Sequence, residues 1–458
     1  MIHHLYRGVL AAILAMELML LASNAAWAVP SFAQQTGQPC TACHIGGFGP
    51  QLTPFGRAFK IGGYTQTGGQ GIASQIPLAA FVQSSFTHTN TPQPQPPANN
   101  FGNNNNFDID QVSVFLAGRI TDFAGGFVQT TWSGTDRAIL LDNTDLRLTT
   151  PLSLGDSELR IGLSLNNGPG VQDAYNSTPI WRFPFIASSL APTPTAQPLL
   201  ASGLVGNSIG LTAYAWYDRR IYFEAGGYAS YGPTLLSAAG AALGPGSTAN
   251  IAPYLRAAYE WNWNAQSAHI GATLLSANFN PATSPFTADG SNGRNSFIDT
   301  QLDGGYQYLG DGTHIVTFDA SFLHEDQNQK AAFNTGAASQ AGNALNQVNA
   351  NASYYYQNTY GVTLGWQYTW GNKDPLIFPA TPLTGSRNGS PDSNAFIVEA
   401  DWIPFGKATS WGHPFANLKL GLQYTVYTLF NGGNRNYDGF GRNASDNNTL
   451  FLFAWLAF

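Results

Sequence analysis

Residues 157–166 read Ser-Glu-Leu-Arg-Ile-Gly-Leu-Ser-Leu-Asn, and apolar and polar side chains alternate along this stretch. Successive side chains of a β-strand point to opposite faces, so a period of two predicts a strand with one apolar and one polar face. The apolar face would carry Leu159, Ile161, Leu163 and Leu165. The polar face would carry Glu158, Arg160, Gly162 and Ser164. Residues 416–430 alternate in the same way, which indicates that the pattern is repeated along the chain.

Segments with this period, separated by turn-forming residues, can be marked from residue 76 to residue 458. They predict sixteen strands, at 76–89, 107–120, 123–133, 138–149, 157–166, 205–216, 220–231, 249–262, 267–278, 296–308, 314–325, 347–356, 359–370, 394–404, 416–430 and 448–458. An even number of strands is typical of a closed bacterial barrel, although fourteen or eighteen strands would also fit the pattern.

The connections between these strands alternate in length. Those after even strands are mostly short, as at 218–219, 310–312 and 357–358, whereas most of those after odd strands run from about fifteen to nearly forty residues. The exceptions are the short link at 133–137 and the longer turn at 405–415. Short periplasmic turns alternating with long outside loops are characteristic of outer-membrane barrels. The sequence therefore predicts an all-β fold, a transmembrane antiparallel β-barrel of about sixteen strands.

The composition agrees with a barrel in lipid and excludes other classes. The chain has 50 Gly, 13% aromatic and only 10% charged residues, and a formal net charge of -7. An acidic chain lacks the basic footprint that nucleic acid requires. No segment after the N-terminus has 18 uninterrupted apolar residues, which argues against a helical membrane protein. A soluble β-sandwich would show the same period of two, but the aromatic content and the loop asymmetry favour the barrel.

Residues 1–28 have the parts of a secretory signal, with an apolar stretch at 8–22 and the small-residue cleavage pattern Ala26-Trp27-Ala28. This predicts export, with residues 29–75 as a separate N-terminal segment and 76–458 as the barrel. The expected location is the outer membrane of a Gram-negative bacterium, in contact with its lipid. The N-terminal segment would lie in the lumen or on the periplasmic side.

The two cysteines of the chain lie in Cys40-Thr41-Ala42-Cys43-His44. In a C-x-x-C-H motif the two thiols form thioethers with the haem vinyl groups, and the adjacent imidazole binds the iron. Cys40, Cys43 and His44 are therefore predicted to attach one haem c covalently, with His44 as the metal ligand. A redox dithiol is the competing interpretation, but a thioredoxin-type motif needs a βαβ context that the sequence lacks. A covalent haem would also supply the core that a segment of this length cannot build alone.

The segment from Thr53 to Gly63 predicts a short helix. Thr53 suits the N-cap, Pro54 the first helical position, and Gly62 or Gly63 the C-terminus. Phe55 and Phe59 would share a face and pack on the porphyrin. Arg57 and Lys60 would pair with haem propionates or with the barrel wall, or else remain in solvent.

Residues 35–44, then Phe55-Gly56-Arg57-Ala58-Phe59-Lys60 and Gly63-Tyr64, resemble the start of the fused monohaem cytochrome-porins of iron-oxidising bacteria. The motif likeness covers residues 35–64, and only Cys40, Cys43 and His44 are carried over from it. The resemblance implies an electron-transfer protein rather than an enzyme, which takes electrons from an extracellular donor, foremost Fe(II), and delivers them to a periplasmic carrier such as a soluble cytochrome. The alternatives are a diffusion porin with a haem-bearing plug or sensor, and a haem enzyme.

The sequence does not name a distal haem ligand. All three Met residues lie within 1–28, and residues 29–75 contain no His besides His44. The options are Lys60, water, an open position, or one of the barrel histidines His88, His269, His314, His324 and His413.

Alternation also predicts an acidic lumen, which would concentrate cations, although a generic polar pore lining explains the same pattern. The predicted inward acidic residues are Asp145, Glu158, Glu224, Glu260, Asp299, Asp303, Asp319, Glu399 and Asp401. The predicted inward basic residues are Arg147, Arg160, Arg220, Arg256 and Lys419.

Overall fold

A computed structural model describes residues 31–202 and 204–458, so the predicted signal at 1–28 lies outside the described residues. Sixteen long strands form one antiparallel sheet that closes on itself where β1 pairs with β16, from Phe81 opposite Ala457 to Thr89 opposite Thr449. The strands are β1 (Leu78–Thr89), β2 (Asn106–Arg119), β3 (Ala124–Ser133), β4 (Ala138–Leu154), β5 (Ser157–Asn166), β6 (Ser208–Tyr217), β7 (Ile221–Ser230), β8 (Ala252–Trp263), β9 (Gln266–Ser284), β10 (Asn295–Tyr308), β11 (His314–Asn328), β12 (Gly342–Tyr356), β13 (Tyr360–Gly371), β14 (Ser393–Trp402), β15 (Asn417–Leu429) and β16 (Thr449–Ala457). Two short strands, Gly246–Thr248 and Thr287–Ala288, pair with the outer part of β9.

The sixteen-strand barrel predicted from the sequence is confirmed. Four strands extend at least three residues beyond their predicted bounds: β4 continues to Leu154, β9 to Ser284 and β11 to Asn328, and β12 begins at Gly342. The end of β4 stays paired with β5 down to Leu154 opposite Ser157, and a tight turn at 155–156 joins them. Inter-strand hydrogen bonds therefore extend these strands past the point where the alternation of side chains weakens.

The outer surface of the barrel is apolar and the strands alternate as predicted. On β5, Ile161, Leu163 and Leu165 are exposed while Ser164 and Asn166 are buried in the lumen. Exposed aromatic side chains gather near the short-turn ends of the strands, at Trp261, Trp263, Tyr308, Tyr356, Tyr360 and Trp402. An apolar band with an aromatic girdle is the surface that such a barrel presents to lipid, and it places the protein in the outer membrane.

The connections divide the barrel into a short-turn end and a loop end. The connection between β5 and β6, residues 167–207, differs from the outside loop that the sequence predicted, because most of its described residues are buried. Gln301 on β10 donates from Nε2 to Ser177 O at 3.1 Å, and Gln423 on β15 donates to Ile186 O at 3.0 Å. This segment, here called the inward loop, therefore crosses the lumen.

The N-terminal segment also lies inside the barrel. Its helices are α1 (Ser31–Thr36), α2 (Cys40–Cys43) and α3 (Pro54–Ile61), with 3-10 turns at Ile45–Gly47 and Ile72–Gln75. Ile61, at the end of α3, is fully buried against a cluster of lumen-facing aromatic residues that includes Tyr214 and Tyr222. Further short helices are α4 (Leu199–Ser202), α5 (Pro233–Ala239) and α6 (Lys330–Asn334), with 3-10 turns at Pro179–Trp181 and Ala444–Asn447. In the part of the chain that the structure describes, no helix is both long and apolar enough to cross a membrane.

Candidate haem site and its cavity

The motif cysteines lie on the single helical turn α2. Pro39 precedes the turn in an extended conformation, and the His44 N–H closes it by donating to Cys40 O at 2.8 Å. Cys40 and Cys43 are three residues apart, so both thiols lie on one side of the turn. Both are free thiols, and both line the same cavity as the adjacent His44. The structure thus brings together all three residues that the sequence predicted.

A short extended connection positions His44. The backbone of His44 forms an antiparallel bridge with Leu52, and the Thr53 N–H donates to Cys43 O at 2.9 Å. The His44 Nδ1 atom is buried and has no hydrogen-bond partner among the described residues. Desolvation by burial lowers the pKa of His44 to about 4, with backbone groups of Gln51 and Pro50 acting in the opposite direction. The imidazole is therefore neutral at physiological pH, which is the form that binds metals.

The cysteines are poor candidates for thiol–disulfide exchange. Burial raises the pKa of Cys40 to about 11 and that of Cys43 to about 12, and the Cys40 thiol adds to the effect on Cys43. A redox-active C-x-x-C pair needs a thiolate, and its pKa is accordingly lowered. The geometry and protonation of this pair therefore favour covalent attachment of a group over catalysis of disulfide exchange.

The cavity beside the motif has a volume of about 760 Å³, within the range of roughly 300–1,000 Å³ that small-molecule and cofactor sites occupy. Aromatic side chains from the N-terminal segment, the wall and the inward loop line it, namely Phe32, Phe48, Phe81, Phe115, Phe127, Trp181, Phe185 and Trp455. Two thiols, a neutral imidazole and an apolar aromatic wall are the set of groups that a covalently held haem needs. The residues present fit a haem c.

The same cavity continues toward the loop end of the barrel. Along β2 it is lined from Ala117 to Asp110, seven residue steps that span roughly 23 Å at ~3.3 Å per residue. At its far end it reaches Thr135 and the exposed Asp136, in the short link between β3 and β4, and Ser189 of the inward loop. The short link at 133–137, the exception among the predicted long loops, is thus the place where the cavity opens to solvent at the loop end.

Helix α3 fixes the N-terminal segment to the wall. Thr53 caps it as predicted by accepting the Gly56 N–H at 3.1 Å, and Pro54 occupies the first turn. Gly56 allows α3 to approach α2, because a Cβ there would collide with Cys43 O. Arg57 is buried and pairs with Glu260 on β8, Nη2 to Oε1 at 2.8 Å. Of the three predicted environments of Arg57, the structure shows the barrel wall.

The predicted shared face of Phe55 and Phe59 is wrong. Phe59 is buried against Phe32 and Tyr64, with ring centroids 5.1 and 5.7 Å away. Phe55 instead lines a separate cavity of about 360 Å³ between the segment and the turns at 309–312 and 358. The two residues are four positions apart on α3, but each lies against a different part of the molecule, Phe59 against Phe32 and Tyr64 and Phe55 against the separate cavity.

Lys60 and Tyr64 anchor the end of the segment. Lys60 is buried, and its Nζ donates to Val171 O of the inward loop at 2.8 Å. Burial lowers the pKa of Lys60 to about 8, while the Asp145 carboxylate acts against this. The Tyr64 hydroxyl donates to Asp145 Oδ2 at 2.7 Å, and Arg147 donates to the same oxygen at 2.9 Å. Asp145 and Arg147, on the wall strand β4, thus hold the N-terminal segment in place.

Most of the predicted inward charges do face the lumen, and several form ion pairs there. Besides Asp145 with Arg147 and Glu260 with Arg57, Arg256 pairs with Asp303 at 2.7 Å and Lys419 pairs with Glu399 at 2.9 Å and with Asp401 at 3.1 Å. Arg220 departs from the prediction, because it lies in a turn and its side chain is 61% exposed. The lumen is therefore acidic in composition but partly neutralised by its own basic residues.

None of the barrel histidines His88, His269, His314, His324 and His413 lines a cavity that includes His44. Lys60 does, in a cavity of about 160 Å³ that it shares with His44 and Trp181. Among the described residues, no three His, Cys, Asp or Glu side chains are grouped closely enough to hold a metal ion by themselves.

Two features of the cavity were missed by the sequence analysis. One is the inward loop, whose burial depends on contacts with strands that are distant in sequence. The other is the set of aspartates Asp110, Asp136 and Asp142 at the outer part of the cavity. Asp110 and Asp142 lie at register shifts of β2 and β4, where the ladder gains one residue, so strict alternation does not assign them to the lumen.

With the fold in view, the protein is an outer-membrane β-barrel of porin-like architecture. No family model matches the sequence, and no curated protein matches it. Among solved structures, the chain is similar to the outer-membrane channel DcaP of Acinetobacter baumannii, with 10% identity over 83% of this chain and 96% of that chain and a TM-score of 0.44. It is similar to OprB of Pseudomonas putida, with 11% identity over 83% and 93% and a TM-score of 0.45. It is also similar to OmpT of Vibrio cholerae, with 10% identity over 83% and 97% and a TM-score of 0.40.

Proposed function

We propose that this protein is an outer-membrane c-type cytochrome-porin, which takes electrons from an extracellular donor, foremost Fe(II), and delivers them to a periplasmic carrier such as a soluble cytochrome. In this function the protein is an electron-transfer protein rather than an enzyme. The donor loses one electron for each carrier that gains one, so no further oxidant or reductant is required. The observation that supports the proposal is one continuous cavity. It has Cys40, Cys43 and His44 at one end and the exposed Asp136 at the other.

The residues that would hold the group are the three of the motif. Each thiol, of Cys40 and of Cys43, would add across one haem vinyl group, so that an S–C bond forms and the thiol hydrogen moves to the neighbouring vinyl carbon. The neutral imidazole of His44 would bind the iron. Bound in this way, haem c supplies a one-electron redox centre.

The position of the motif supports transfer between the two sides of the membrane. A hydrocarbon band about 25 Å tall separates the compartments, and the cavity extends along roughly 23 Å of β2, which at a strand tilt of ~40° is roughly 18 Å of height. The cysteine end lies at the short-turn end of the barrel, where Thr41 donates its N–H to Gly406 O at 3.2 Å. Since short turns face the periplasm in barrels of this kind, the haem edge would lie near the carrier while donors approach from the loop end.

A second candidate is a diffusion porin in which the N-terminal segment acts as a plug or sensor, and the sixteen-strand barrel supports it. In that function the segment would have to leave the lumen or leave a path beside it. The described lumen is occupied by the buried segment and by the inward loop, and both are tied to the wall by hydrogen bonds and ion pairs. This packing argues against a freely open pore, whereas the closed sixteen-strand barrel itself supports a porin-like channel.

The test uses the full-length protein in liposomes that enclose a soluble oxidised cytochrome. External Fe(II) should reduce the enclosed cytochrome, and the double variant Cys40→Ala, Cys43→Ala should abolish the reduction. Wild-type protein should retain Soret absorbance after denaturation and acid–acetone extraction, whereas the variant should not.

Three results would each overturn the proposal. They are wild-type protein with no covalent haem, haem-loaded protein that leaves the enclosed cytochrome oxidised, and a reduction rate that is unchanged in the double variant. Leakage of small enclosed solutes without electron transfer would favour the diffusion porin.

A further inference from the structure

Lys60 is buried in a way that differs from other basic side chains of the lumen. Arg57, Arg147 and Lys419 each form an ion pair with a carboxylate of the barrel wall. Lys60 is 7% exposed and forms no ion pair with a described residue. Its one hydrogen bond within the described part of the chain is the one that Nζ donates to Val171 O at 2.8 Å. An ammonium group has three N–H donors, so burial with one neutral acceptor leaves two donors without a partner, which is costly.

Lys60 lies on the part of α3 that meets the haem motif. Gly56 is one helical turn earlier, and it packs so closely on α2 that a Cβ there would collide with Cys43 O. Lys60 and His44 both line the cavity of about 160 Å³. That cavity shares Cys43, His44 and Trp181 with the cavity of about 760 Å³ that fits the haem. The lysine therefore borders the space next to the predicted iron ligand.

Trp181 connects the lysine to the haem cavity. Its ring lines both cavities, and Lys60 Nζ lies 5.0 Å from the ring centroid. Its Nε1 donates to Val171 O at 3.0 Å, so this carbonyl oxygen accepts from the indole as well as from the lysine. If the amine moves away, the carbonyl keeps the indole as its donor. The contact that holds Lys60 is therefore one that the protein can release without leaving the carbonyl unpaired.

Few side chains of the two cavities are suited to bind iron. A haem that transfers electrons commonly takes its second axial ligand from the nitrogen of His or the sulfur of Met. Apart from the haem motif, no described His, Cys, Met or Lys other than Lys60 lines either cavity. In the smaller cavity, the Tyr64 hydroxyl is bonded to Asp145, and the Asp173 carboxylate accepts backbone N–H groups of the inward loop. The amine of Lys60 is therefore the available nitrogen donor.

We infer that Lys60 is the second axial ligand of the haem iron, bound through its deprotonated amine, with His44 as the first. The inference rests on the proposed attachment of haem c and adds the residue that completes the coordination of the iron. When the bond forms, the ammonium releases one proton to solvent, the hydrogen bond to Val171 O breaks, and the nitrogen lone pair binds the iron. The four-carbon stem of lysine is flexible, so the amine can move while α3 stays in place. Two protein ligands leave no position on the iron for a substrate, which suits electron transfer and argues against a haem enzyme.

The test uses full-length, haem-loaded protein in phosphatidylcholine nanodiscs. The ferric haem of the wild type should be low-spin by EPR, and its ferrous haem should bind carbon monoxide slowly. Lys60→Ala should make the ferric haem high-spin and speed carbon monoxide binding by about tenfold or more, because the sixth position is then open. Lys60→Arg keeps a cation and a donor for Val171 O but cannot be deprotonated, so it should behave as Lys60→Ala does.

The matched control is Lys407→Ala. Lys407 lies in the turn between β14 and β15 and lines none of the cavities described above. This variant should leave the EPR spectrum and the rate of carbon monoxide binding unchanged.

A high-spin ferric spectrum or rapid carbon monoxide binding in the wild type would overturn the inference, and these two measurements require no variant. A low-spin spectrum that persists in Lys60→Ala would overturn it as well. If Lys60→Arg stayed low-spin while Lys60→Ala turned high-spin, Lys60 would have a structural role instead, through its contact with Val171.

The failure of this inference can be told from the failure of the proposed function. An unchanged spectrum in the Lys60 variants, in a protein that still reduces the enclosed cytochrome, would refute the inference alone. Low-spin haem that is lost only in the Lys60 variants, in a protein that leaves the enclosed cytochrome oxidised, would support the inference and refute the proposed function. Wild-type protein without covalent haem would refute both.

Discussion

The lumen of this barrel contains two regions, one in which the charged side chains are paired and one in which they are not. The packed region surrounds α3 and the inward loop, where Arg57, Arg147 and Arg256 are buried and each is paired with a carboxylate. The open region is the cavity above the cysteines, where Asp136 is exposed, Asp110 and Asp142 are half-buried, and all three lack a basic partner among the described residues. Buried charges are tolerated only when paired, whereas unpaired charges persist where water or an ion can reach them. The difference indicates that the packed region holds the fold and the open region is free to bind.

Strand β4 brings the two regions within three residues of each other. Asp142 lies in the open region and accepts from a neutral amide and a hydroxyl, while Asp145 lies in the packed region and accepts from Arg147 and Tyr64. The bulge at 142–143 separates them and changes which face of the strand each residue occupies. One strand thus serves as a structural element at one height and as a cavity wall at another.

The largest effect should come from the comparison of Asp145→Asn with Asp142→Asn. Asp145→Asn leaves the Arg147 guanidinium buried without its carboxylate, which should cost about 3–5 kcal/mol in the free energy of unfolding. Asp142→Asn removes no ion pair and should cost less than about 1 kcal/mol. Reversible urea titration of the protein in lipid vesicles measures both. Equal costs would show that the division between packed and open regions is wrong.

Much of the barrel could be predicted because its signals are local. The period of two fixed the faces of strands such as β5, and turn chemistry at 218–219 and 357–358 set the strand count. Cys40, Cys43 and His44 are adjacent in sequence, so their juxtaposition on one turn required no knowledge of the fold. The haem itself stays a prediction.

The remainder depended on contacts between distant residues. The inward loop is held by side chains such as Gln301 and Gln423, and nothing within residues 167–207 encodes those partners. Asp110 and Asp142 could not be assigned to the lumen from the sequence, because a β-bulge at each interrupts the alternation of inward and outward side chains. The aspartate pair at 108 and 110 on β2 was the one local signal available, but only the register with β1 shows its meaning.

A second, smaller effect concerns the pH dependence of the inward loop. Asp173 is buried in this loop and accepts from the N–H groups of Tyr175, Ser177 and Thr178. Burial alone would raise the pKa of Asp173, but the Arg256 guanidinium and the backbone donors outweigh it and hold the pKa below its usual value of 3.8. A depressed pKa in the folded state means that this stabilisation is complete above about 3.8 and is lost as the pH falls through the lower folded value.

The loop should therefore stay protected from hydrogen exchange at about pH 6 and become exchangeable as the pH falls below 3.8. Asp173→Asn should weaken the protection by about 1.5–3 kcal/mol at about pH 6, because a charge-assisted hydrogen bond is lost, and should flatten the pH dependence. The control is Asp289→Asn in an exposed loop, which should leave both unchanged. A pH dependence that persists in Asp173→Asn would assign it to another group.

The smallest effect tests where the inward loop is fastened to the wall of the open region. Two consecutive serines of the loop contact wall hydroxyls: Ser188 contacts Thr87 at 2.6 Å in a buried position, and Ser189 contacts Thr135 at 2.8 Å in an exposed one. Thr87→Val should cost about 1 kcal/mol, because the buried Ser188 hydroxyl loses Thr87 and keeps only the Leu190 N–H. Thr135→Val should change the free energy of unfolding by less than about 0.5 kcal/mol, because water replaces the lost contact. Urea titration of both variants in lipid vesicles measures the difference. If Thr135→Val were the more costly, the Ser189–Thr135 contact would close the loop end of the cavity, and the cavity would not be an open route for a donor.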